Sequence, residues 1–177
     1  MNLIDVCDEK NNLTGRKEQI GVIHSKGLWH RVSHVWLYTS KGEVVLQLRS
    51  RKKRLFPGLL DVSAAGHIDS GETPRQAALR ETKEELGITL KKINFWKIIK
   101  NSIIFDKIIN NEFYYVFFSK IPRNTKFSIN HEVESVHFVN IAELLKSLNK
   151  SPQKYVPHGR YWINVLNEIK RRSQVTG

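Results

Sequence analysis

Short runs of alternating hydrophobic and polar residues occupy much of the chain and predict β-strands. The clearest pair, Val32 to Thr39 and Glu43 to Leu48, flanks the turn residues Ser40-Lys41-Gly42 and predicts a β-hairpin. The polar pair Asn110-Asn111 predicts a second reversal between two longer runs. The remaining predicted strands are Ile4 to Cys7, Glu18 to His24, Leu60 to Ala65, Asn94 to Phe105, Phe113 to Ser119 and Ser135 to Val139.

Three segments have the signals of helices. The first begins at the capping box Thr73-Pro74-Arg75-Gln76 and stops at Gly87, which predicts a helix over about Pro74 to Leu86. The others run from about Ile141 to Leu148 and from about His158 to Arg172. Strands around a central helix, followed by a C-terminal helix, predict an α/β/α sandwich with a mixed β-sheet.

The composition fits one compact domain. The chain has 177 residues, of which 40% are hydrophobic. We expect a strand or hairpin lead-in, residues 1–28, packed on a domain of residues 29–177.

No apolar run approaches the roughly 20 residues that span a bilayer, and Met1 to Lys10 lacks the regions of a signal peptide. Cys7 is the only cysteine, which excludes an intramolecular disulfide and a four-thiolate zinc site. Together these features predict a cytoplasmic protein.

The charge of the chain is strongly basic. Lys and Arg number 29 against 17 Asp and Glu, so the formal net charge is +12. Such an excess suits an anionic partner, whether a phosphorylated small molecule, RNA or a membrane surface, but it also serves solubility. The densest basic run, Arg49 to Arg54, precedes Pro57-Gly58. It is either a solvated loop or a phosphate clamp, for which Arg49, Lys53 and Arg54 are our candidates.

Three glutamates share one side of the central predicted helix. On a helical wheel of about 100° per residue, Glu81, Glu84 and Glu85 occupy an arc about 100° wide, whereas Thr82 and Leu86 face the sheet. Carboxylates at this spacing repel one another, and a divalent cation that prefers oxygen ligands, Mg²⁺ or Mn²⁺, removes the repulsion. Taken alone, three glutamates on one side of a helix favour a solvated acidic stripe over a metal site.

The residues around these glutamates decide between the two readings. Gly66 to Ile88 resembles the Nudix box, G-x5-E-x7-R-E-U-x-E-E-x-G-U with U aliphatic, and departs from it only at Thr82. The resemblance implies a metal-dependent hydrolase in which a metal-activated water attacks a diphosphate. It assigns metal binding to Glu81, Glu84 and Glu85, with Gly66 contributing its carbonyl. It leaves structural roles to Glu72, Arg80 and Gly87.

A wider stretch resembles one branch of this superfamily. Gly27 to Arg31, Leu55 to Gly58 and Ser63 to His67 are similar to the type I isopentenyl-diphosphate isomerases and their hydrolase relatives. The isomerases hold a metal with three histidines and two glutamates. His24, His30 and His67 lie at matching or near-matching positions, and Glu112 matches one of the glutamates. Asn110 lies where the other glutamate is expected, and Ala65 lies where the isomerases have their catalytic cysteine.

Hydrolysis is therefore the expected activity, on a nucleoside diphosphate derivative or a similar small diphosphate. Isomerisation of isopentenyl diphosphate is one alternative, and a non-catalytic ligand- or RNA-binding module is another. Glu112 is expected to bind metal or act as a base, and His67 to join the site; an exposed edge glutamate and a histidine bonded to backbone are the alternatives. We expect neither a membrane nor a nucleic acid partner, since no aromatic-basic RNA signature interrupts the strands, and the sequence allows a homodimer.

Overall fold

The computed structural model describes residues 2–106 and 108–174. Met1, at the start of the predicted lead-in, and residues 175–177, at the end of the predicted domain, lie outside the described residues. The described chain forms nine strands and four α-helices. The strands are β1 (Ile4–Cys7), β2 (Leu13–Glu18), β3 (His30–Tyr38), β4 (Glu43–Arg49), β5 (Leu60–Asp61), β6 (Ala64–His67), β7 (Asn94–Phe105), β8 (Ile108–Lys120) and β9 (Val133–Asn140). The helices are α1 (Ile20–Lys26), α2 (Pro74–Leu86), α3 (Ile141–Lys150) and α4 (Arg160–Gln174), with a 3-10 turn at Pro152–Lys154.

A seven-stranded mixed sheet forms the middle layer. Its order is β5-β4-β3-β8-β7, with β6 added to β3 and β9 added to β4. The pair β3 and β8 is parallel, which the long connection through β4 to β7 and α2 allows, and the other pairs of this sheet are antiparallel. Ala78 and Leu86 of α2 pack on one face, and Trp162, Leu166 and Ile169 of α4 pack on the other. The predicted α/β/α sandwich with a mixed sheet is confirmed.

The predicted hairpin is present, but its strands separate soon after the turn. Only Tyr38 and Val44 pair across β3 and β4. Toward the start of β3, the neighbouring strand is β6 instead of β4, and Val35 pairs with Ala64 there. The predicted strand Leu60 to Ala65 is thus two short strands, and Ser63 between them donates to the Val45 carbonyl. This split places the end of β6 beside α2.

Near the N-terminus, the predicted strand Glu18 to His24 is wrong. β2 ends at Glu18, and the residues after Gln19 form α1. The β-branched residues of this segment favoured a strand. Tertiary packing overrides that preference, because the helical turn buries Ile23 completely against β1, and Gly27 at φ +59° closes the helix. A helix here directs His24 inward.

The turn predicted at Asn110-Asn111 is also wrong. Both residues lie within β8, and the chain reverses earlier, near Asp106 at φ +54°. β8 therefore starts before the predicted strand Phe113 to Ser119. Because side chains alternate along a strand, this extension puts Asn110 and Glu112 on the same face of the sheet.

Candidate active site

The helix that carries the glutamates has the predicted bounds. Thr73 Oγ1 accepts a hydrogen bond from the Gln76 backbone N–H, and Gln76 Oε1 accepts one from the Thr73 N–H, which completes the capping box. Gly87 ends the helix at φ +68°. Thr82 is fully buried toward the sheet, where an aliphatic residue is expected. Its hydroxyl donates a hydrogen bond to the Ala78 carbonyl, so the polar group is satisfied within the helix. We call Glu81, Glu84 and Glu85 the carboxylate group.

Glu85 is the most enclosed member of the carboxylate group, with 2% of its surface exposed. Its Oε2 accepts hydrogen bonds of 3.0 Å from the Ala65 N–H and from Gln47 Nε2. Burial, followed by the nearby charge of Glu81, raises the pKa of Glu85 to about 8. Two donors orient this carboxylate, but they do not neutralise its charge.

Glu81 lies directly against the backbone of Gly66. A Cβ at residue 66 would overlap the Glu81 carboxylate, so glycine at this position leaves room for that carboxylate. Burial is the largest influence on Glu81 and raises its pKa, although Arg80 opposes the shift. Glu84 is different, since 54% of its side chain is exposed.

Arg80 ties the loop before the helix to the helix itself. Its guanidinium makes two 2.9 Å bonds to the Glu72 carboxylate and a third, also of 2.9 Å, to the His67 carbonyl. It also contacts Glu81 at 2.6 Å and Glu84 at 3.3 Å. On a helical wheel Arg80 lies on the solvent side of α2, yet only 28% of its side chain is exposed, because it folds back over the loop. Its contact with Glu72 joins the loop to the helix.

A second set of ligand-type side chains converges beside the first. His24 of α1, His30 of β3, His67 of β6 and Glu112 of β8 each offer one atom within 4.8 Å of the other three. We call these four residues the histidine cluster. The register of the parallel strands produces part of it, since His30 is opposite Glu112. The structure thus brings together the residues that the sequence suggested from four separate elements.

The histidine cluster has the protonation pattern of a ligand set. The Nδ1 of His30 bonds the Leu28 carbonyl, and the Nε2 atoms of His24 and His30 are buried without a hydrogen-bond partner among the described residues. Burial first, and His30 second, lower the pKa of His24 to about 4 and that of His67 to about 3. Burial alone would raise the pKa of Glu112, but the neighbouring His30 and His67 lower it to about 2. A cation requires deprotonated ligands, which the lowered pKa values of His24, His67 and Glu112 provide.

One cavity of about 240 Å³ joins the two groups. Glu81, Glu84, His67 and Glu112 all line it. Its apolar wall comes from Phe56, Ile103 and Val156, which pack against one another.

The predicted basic clamp is only partly assembled at this cavity. Arg49 and Lys53 line it. Arg49 is already held, by Asp61 at 3.0 Å and by the Leu55 carbonyl, and the Lys53 ammonium contacts the Glu132 carboxylate. Arg54, by contrast, is exposed and is not among the described residues that line the cavity.

Four cavity residues were not anticipated from the sequence, namely His34, Asp61, Glu132 and His158. His158 Nε2 lies 2.8 Å from the Asp61 carboxylate, and the two residues are separated by 97 positions. Burial raises the pKa of Asp61, but His158 and Arg49 more than offset this and hold it well below its usual range. No local motif marks such a pair, so only the fold reveals it.

Comparisons with known proteins agree with this architecture. A family model described as the NUDIX domain matches residues 28–159. Nudix hydrolase 3 of Arabidopsis thaliana is 36% identical over 97% of this chain, which spans only 24% of that protein. Isopentenyl-diphosphate Delta-isomerase 2 of Photorhabdus laumondii is 29% identical over 93% of this chain and 90% of its own length. The crystal structure of a Deinococcus radiodurans protein covers 94% of this chain and 98% of its own, with a TM-score of 0.70 and 20% identity.

The cavity lined by carboxylates describes a candidate hydrolase site, and the comparisons identify the family. This chain belongs to the Nudix family, in the class of the Nudix-type hydrolases. Within the described residues, no helix is long and apolar enough to cross a membrane.

The pKa of Glu85 leads to a first prediction, on stability and pH. Because the folded pKa of about 8 exceeds the ordinary glutamate value of 4.5, the folded state retains a proton that the unfolded state releases. Without divalent cations, the free energy of unfolding should therefore fall by a few kcal/mol as pH rises from 4.5 to about 8. Added Mg²⁺ should raise the melting temperature more at pH 8 than at pH 5, since metal ligands must be deprotonated. Thermal melts with EDTA or Mg²⁺ check this, and an equal gain at both pH values would contradict it.

Proposed function

We propose that this protein is a metal-dependent hydrolase that cleaves the diphosphate bond of a nucleoside diphosphate derivative or a similar small diphosphate. The observation that carries the proposal is the carboxylate group, whose Glu81 lies against Gly66 and whose Glu81 and Glu84 line the cavity that Arg49 and Lys53 also line. Negative ligands for a cation and positive ligands for phosphate oxygens thus line the same cavity.

The carboxylate group fits Mg²⁺ or Mn²⁺. Glu85 is buried and Glu81 is partly buried, and burial raises the pKa values of both, so a divalent cation would stabilise their ionised forms. Oxygen ligands of this kind are those that hard cations prefer. Glu81, Glu84 and Glu85, with the carbonyl of Gly66, would hold the cation. When bound, it supplies neutralisation of the diphosphate charge and a lowered pKa for water.

The remaining side chains position these groups and the substrate. Arg80 and Glu72 fix the loop before α2, and Gln47 and the Ala65 N–H orient Glu85. Lys53 would exchange its contact with Glu132 for a contact with a phosphate oxygen. The apolar wall of the cavity excludes water from the rest of the substrate.

The test of the proposed function is a panel of diphosphates. Nucleoside diphosphate sugars, dinucleoside polyphosphates and small alkyl diphosphates would each be incubated with the protein and Mg²⁺, and phosphate products would be measured. We expect Mg²⁺-dependent cleavage of at least one class and none in EDTA. Full activity in EDTA would contradict a metal-dependent mechanism.

We also propose that the histidine cluster binds a second divalent cation. The unpartnered Nε2 of His30 lies 3.5 Å from Glu112, and the Nε2 of His24 is likewise buried without a partner among the described residues. A cation between these atoms would satisfy all of them. Because His24 lies in the predicted lead-in, residues 1–28 would then form part of the active site and not a separate unit. Metal analysis of the purified protein, with His24→Ala as the variant, tests this.

The histidine cluster also favours a second candidate function, isopentenyl-diphosphate isomerisation, because the isomerases that this sequence resembles hold a metal with a similar set of histidines and glutamates. Two residues disfavour it. Ala65 has no proton to transfer where the isomerases have a thiol, and Asn110 lowers the negative charge near the cluster. We expect no dimethylallyl diphosphate from isopentenyl diphosphate and Mg²⁺. Its formation at an enzymatic rate would favour the isomerase.

The basic residues at the cavity lead to a second prediction. Lys53→Ala should raise KM about 10-fold or more with a smaller effect on kcat, because it removes a charged donor to the diphosphate. Arg54→Ala is the matched control, since Arg54 is exposed, and should change KM less than about twofold. Arg49→Ala should instead lower stability, because it removes one of the two side-chain partners of the buried Asp61 carboxylate and leaves only His158. Steady-state kinetics and thermal melts check all three predictions. Equal KM values for the Lys53 and Arg54 variants would contradict the phosphate clamp and favour a solvated loop.

A further inference from the structure

Three buried side chains that the proposed mechanism does not use form a hydrogen-bonded chain behind the cavity. Trp36 Nε1 donates to the Tyr161 hydroxyl over 2.8 Å, and the same hydroxyl lies 2.9 Å from Nδ1 of His34. All three residues are buried, and His34 lines the cavity. The His34 ring also stacks on Tyr114, with 4.0 Å between ring centroids, which fixes its plane.

Elementary hydrogen-bond accounting places the proton of His34. An indole N–H is only a donor, so the Tyr161 oxygen accepts from Trp36. The buried phenol then satisfies its own hydrogen by donating to Nδ1 of His34, because the reverse arrangement would leave that hydrogen without an acceptor. His34 is therefore neutral and carries its hydrogen on Nε2. Consistently, burial first and His158 second lower the pKa of His34 to about 3.

The position of His34 relates this hydrogen to the carboxylate group. His34 pairs with Ala65 across β3 and β6, and directly opposed residues point to the same face with Cβ atoms about 5 Å apart. Both residues line the cavity. The next residue, Gly66, lies against the Glu81 carboxylate, and the Ala65 N–H donates a hydrogen bond to the Glu85 carboxylate. His34 thus stands beside the strand that positions these carboxylates.

We propose that His34 binds the substrate, with its Nε2–H donating a hydrogen bond to an oxygen of the diphosphate, and that Tyr161 and Trp36 are positioning residues for it. This inference rests on the proposed diphosphate hydrolysis. A neutral donor suits this location, because it adds a hydrogen bond without adding positive charge where a divalent cation must also bind. An apolar ring would fill the same space, so packing alone does not require a histidine.

Nitrogen NMR of the imidazole rings in the full chain tests the proton placement without any turnover. In the ¹⁵N-labelled protein, His34, assigned by its absence in His34→Gln, should show a protonated Nε2 and an unprotonated Nδ1. Methylenediphosphonate, a non-hydrolysable diphosphate, added with Mg²⁺ should shift the Nε2 resonance. The exposed His137 outside the cavity lining is the internal control and should not move. A proton on Nδ1, or no shift at saturating diphosphonate, overturns the inference.

Kinetics of matched variants test the role in binding. His34→Phe should raise KM for the best substrate of the diphosphate panel about 10- to 100-fold, the loss expected for a hydrogen bond to a charged group. His34→Gln, which keeps an amide N–H near the same place, should stay within a few-fold of the wild type. His34→Phe leaves the hydrogen of the Tyr161 hydroxyl without an acceptor, whereas His34→Phe with Tyr161→Phe removes that hydrogen and leaves the Trp36 N–H without one. The double variant is therefore a second background, and thermal melting verifies that each variant is folded. Unchanged KM in that double variant overturns the inference. Failure of the wild type to hydrolyse any diphosphate would instead contradict the proposed function, and the diphosphonate titration separates the two results.

Discussion

Glu85→Gln should lower Mg²⁺-dependent turnover by at least about 100-fold while leaving the fold intact. Substitution removes a negative ligand, and charge stabilisation by a bound cation is worth several kcal/mol in such reactions. The fold should survive because the glutamine carbonyl can still accept the hydrogen bonds from the Ala65 N–H and Gln47. At pH 8 without metal, the variant should melt at a higher temperature than the wild type, since it no longer confines a buried carboxylate whose pKa is raised to about 8.

Two companion variants make this first result specific. Glu84→Gln should also lower turnover by orders of magnitude, but it should leave the metal-free melting temperature nearly unchanged, because Glu84 is half exposed. Glu143→Gln alters an exposed helix glutamate outside the cavity lining and should retain wild-type turnover. Turnover in Glu85→Gln within about threefold of the wild type would contradict the proposed role of the carboxylate group.

The parts of this site that could be predicted are those encoded locally. The capping box at Thr73 and the stop at Gly87 depend on a few adjacent residues, and the predicted helix bounds agree with the structure. The spacing of the carboxylate group follows from helix geometry alone. The predicted strands from the hairpin onward were likewise largely confirmed, because their alternation is local.

Errors arose where tertiary contacts decide the local structure. The α1 segment contains β-branched residues that predict a strand, yet burial of Ile23 against β1 selects a helix. Asn110 carries a turn signal, but its pairing with Ile103 continues the strand. Both errors affect the site, since α1 supplies His24 and the longer β8 supplies Asn110 and Glu112.

Contacts between distant segments could not be read from the sequence without the fold. The Asp61 and His158 pair, and the chain from Trp36 through Tyr161 to His34, join residues more than 90 positions apart. The tie between Arg49 and Asp61 is shorter in sequence, but it reassigns a residue that charge alone marked as a free phosphate clamp. Composition shows that basic residues are present, whereas the partners that already hold them are a property of packing.

Glu112 provides the second large effect, and its environment separates two roles that the sequence left open. As a metal ligand, its loss should weaken cation binding, so that high Mn²⁺ restores turnover. As a general base, its loss should lower kcat by about 10²–10⁴-fold whatever the metal concentration. The second role suits a pKa near the working pH, whereas the neighbouring His30 and His67 hold the pKa of Glu112 at about 2 despite burial.

We therefore expect Glu112→Gln to lose more than about 100-fold in turnover at low metal concentration and to recover most of it at saturating Mn²⁺. Metal titrations of turnover, paired with calorimetric titration of the variant with Mn²⁺, measure both effects. Glu134→Gln, a change on β9 outside the cavity lining, should behave as the wild type in both. A loss that no metal concentration restores would assign Glu112 to proton transfer. A loss smaller than about threefold at every metal concentration would remove it from the site, and the cavity carboxylate of Glu132 would be the next candidate base.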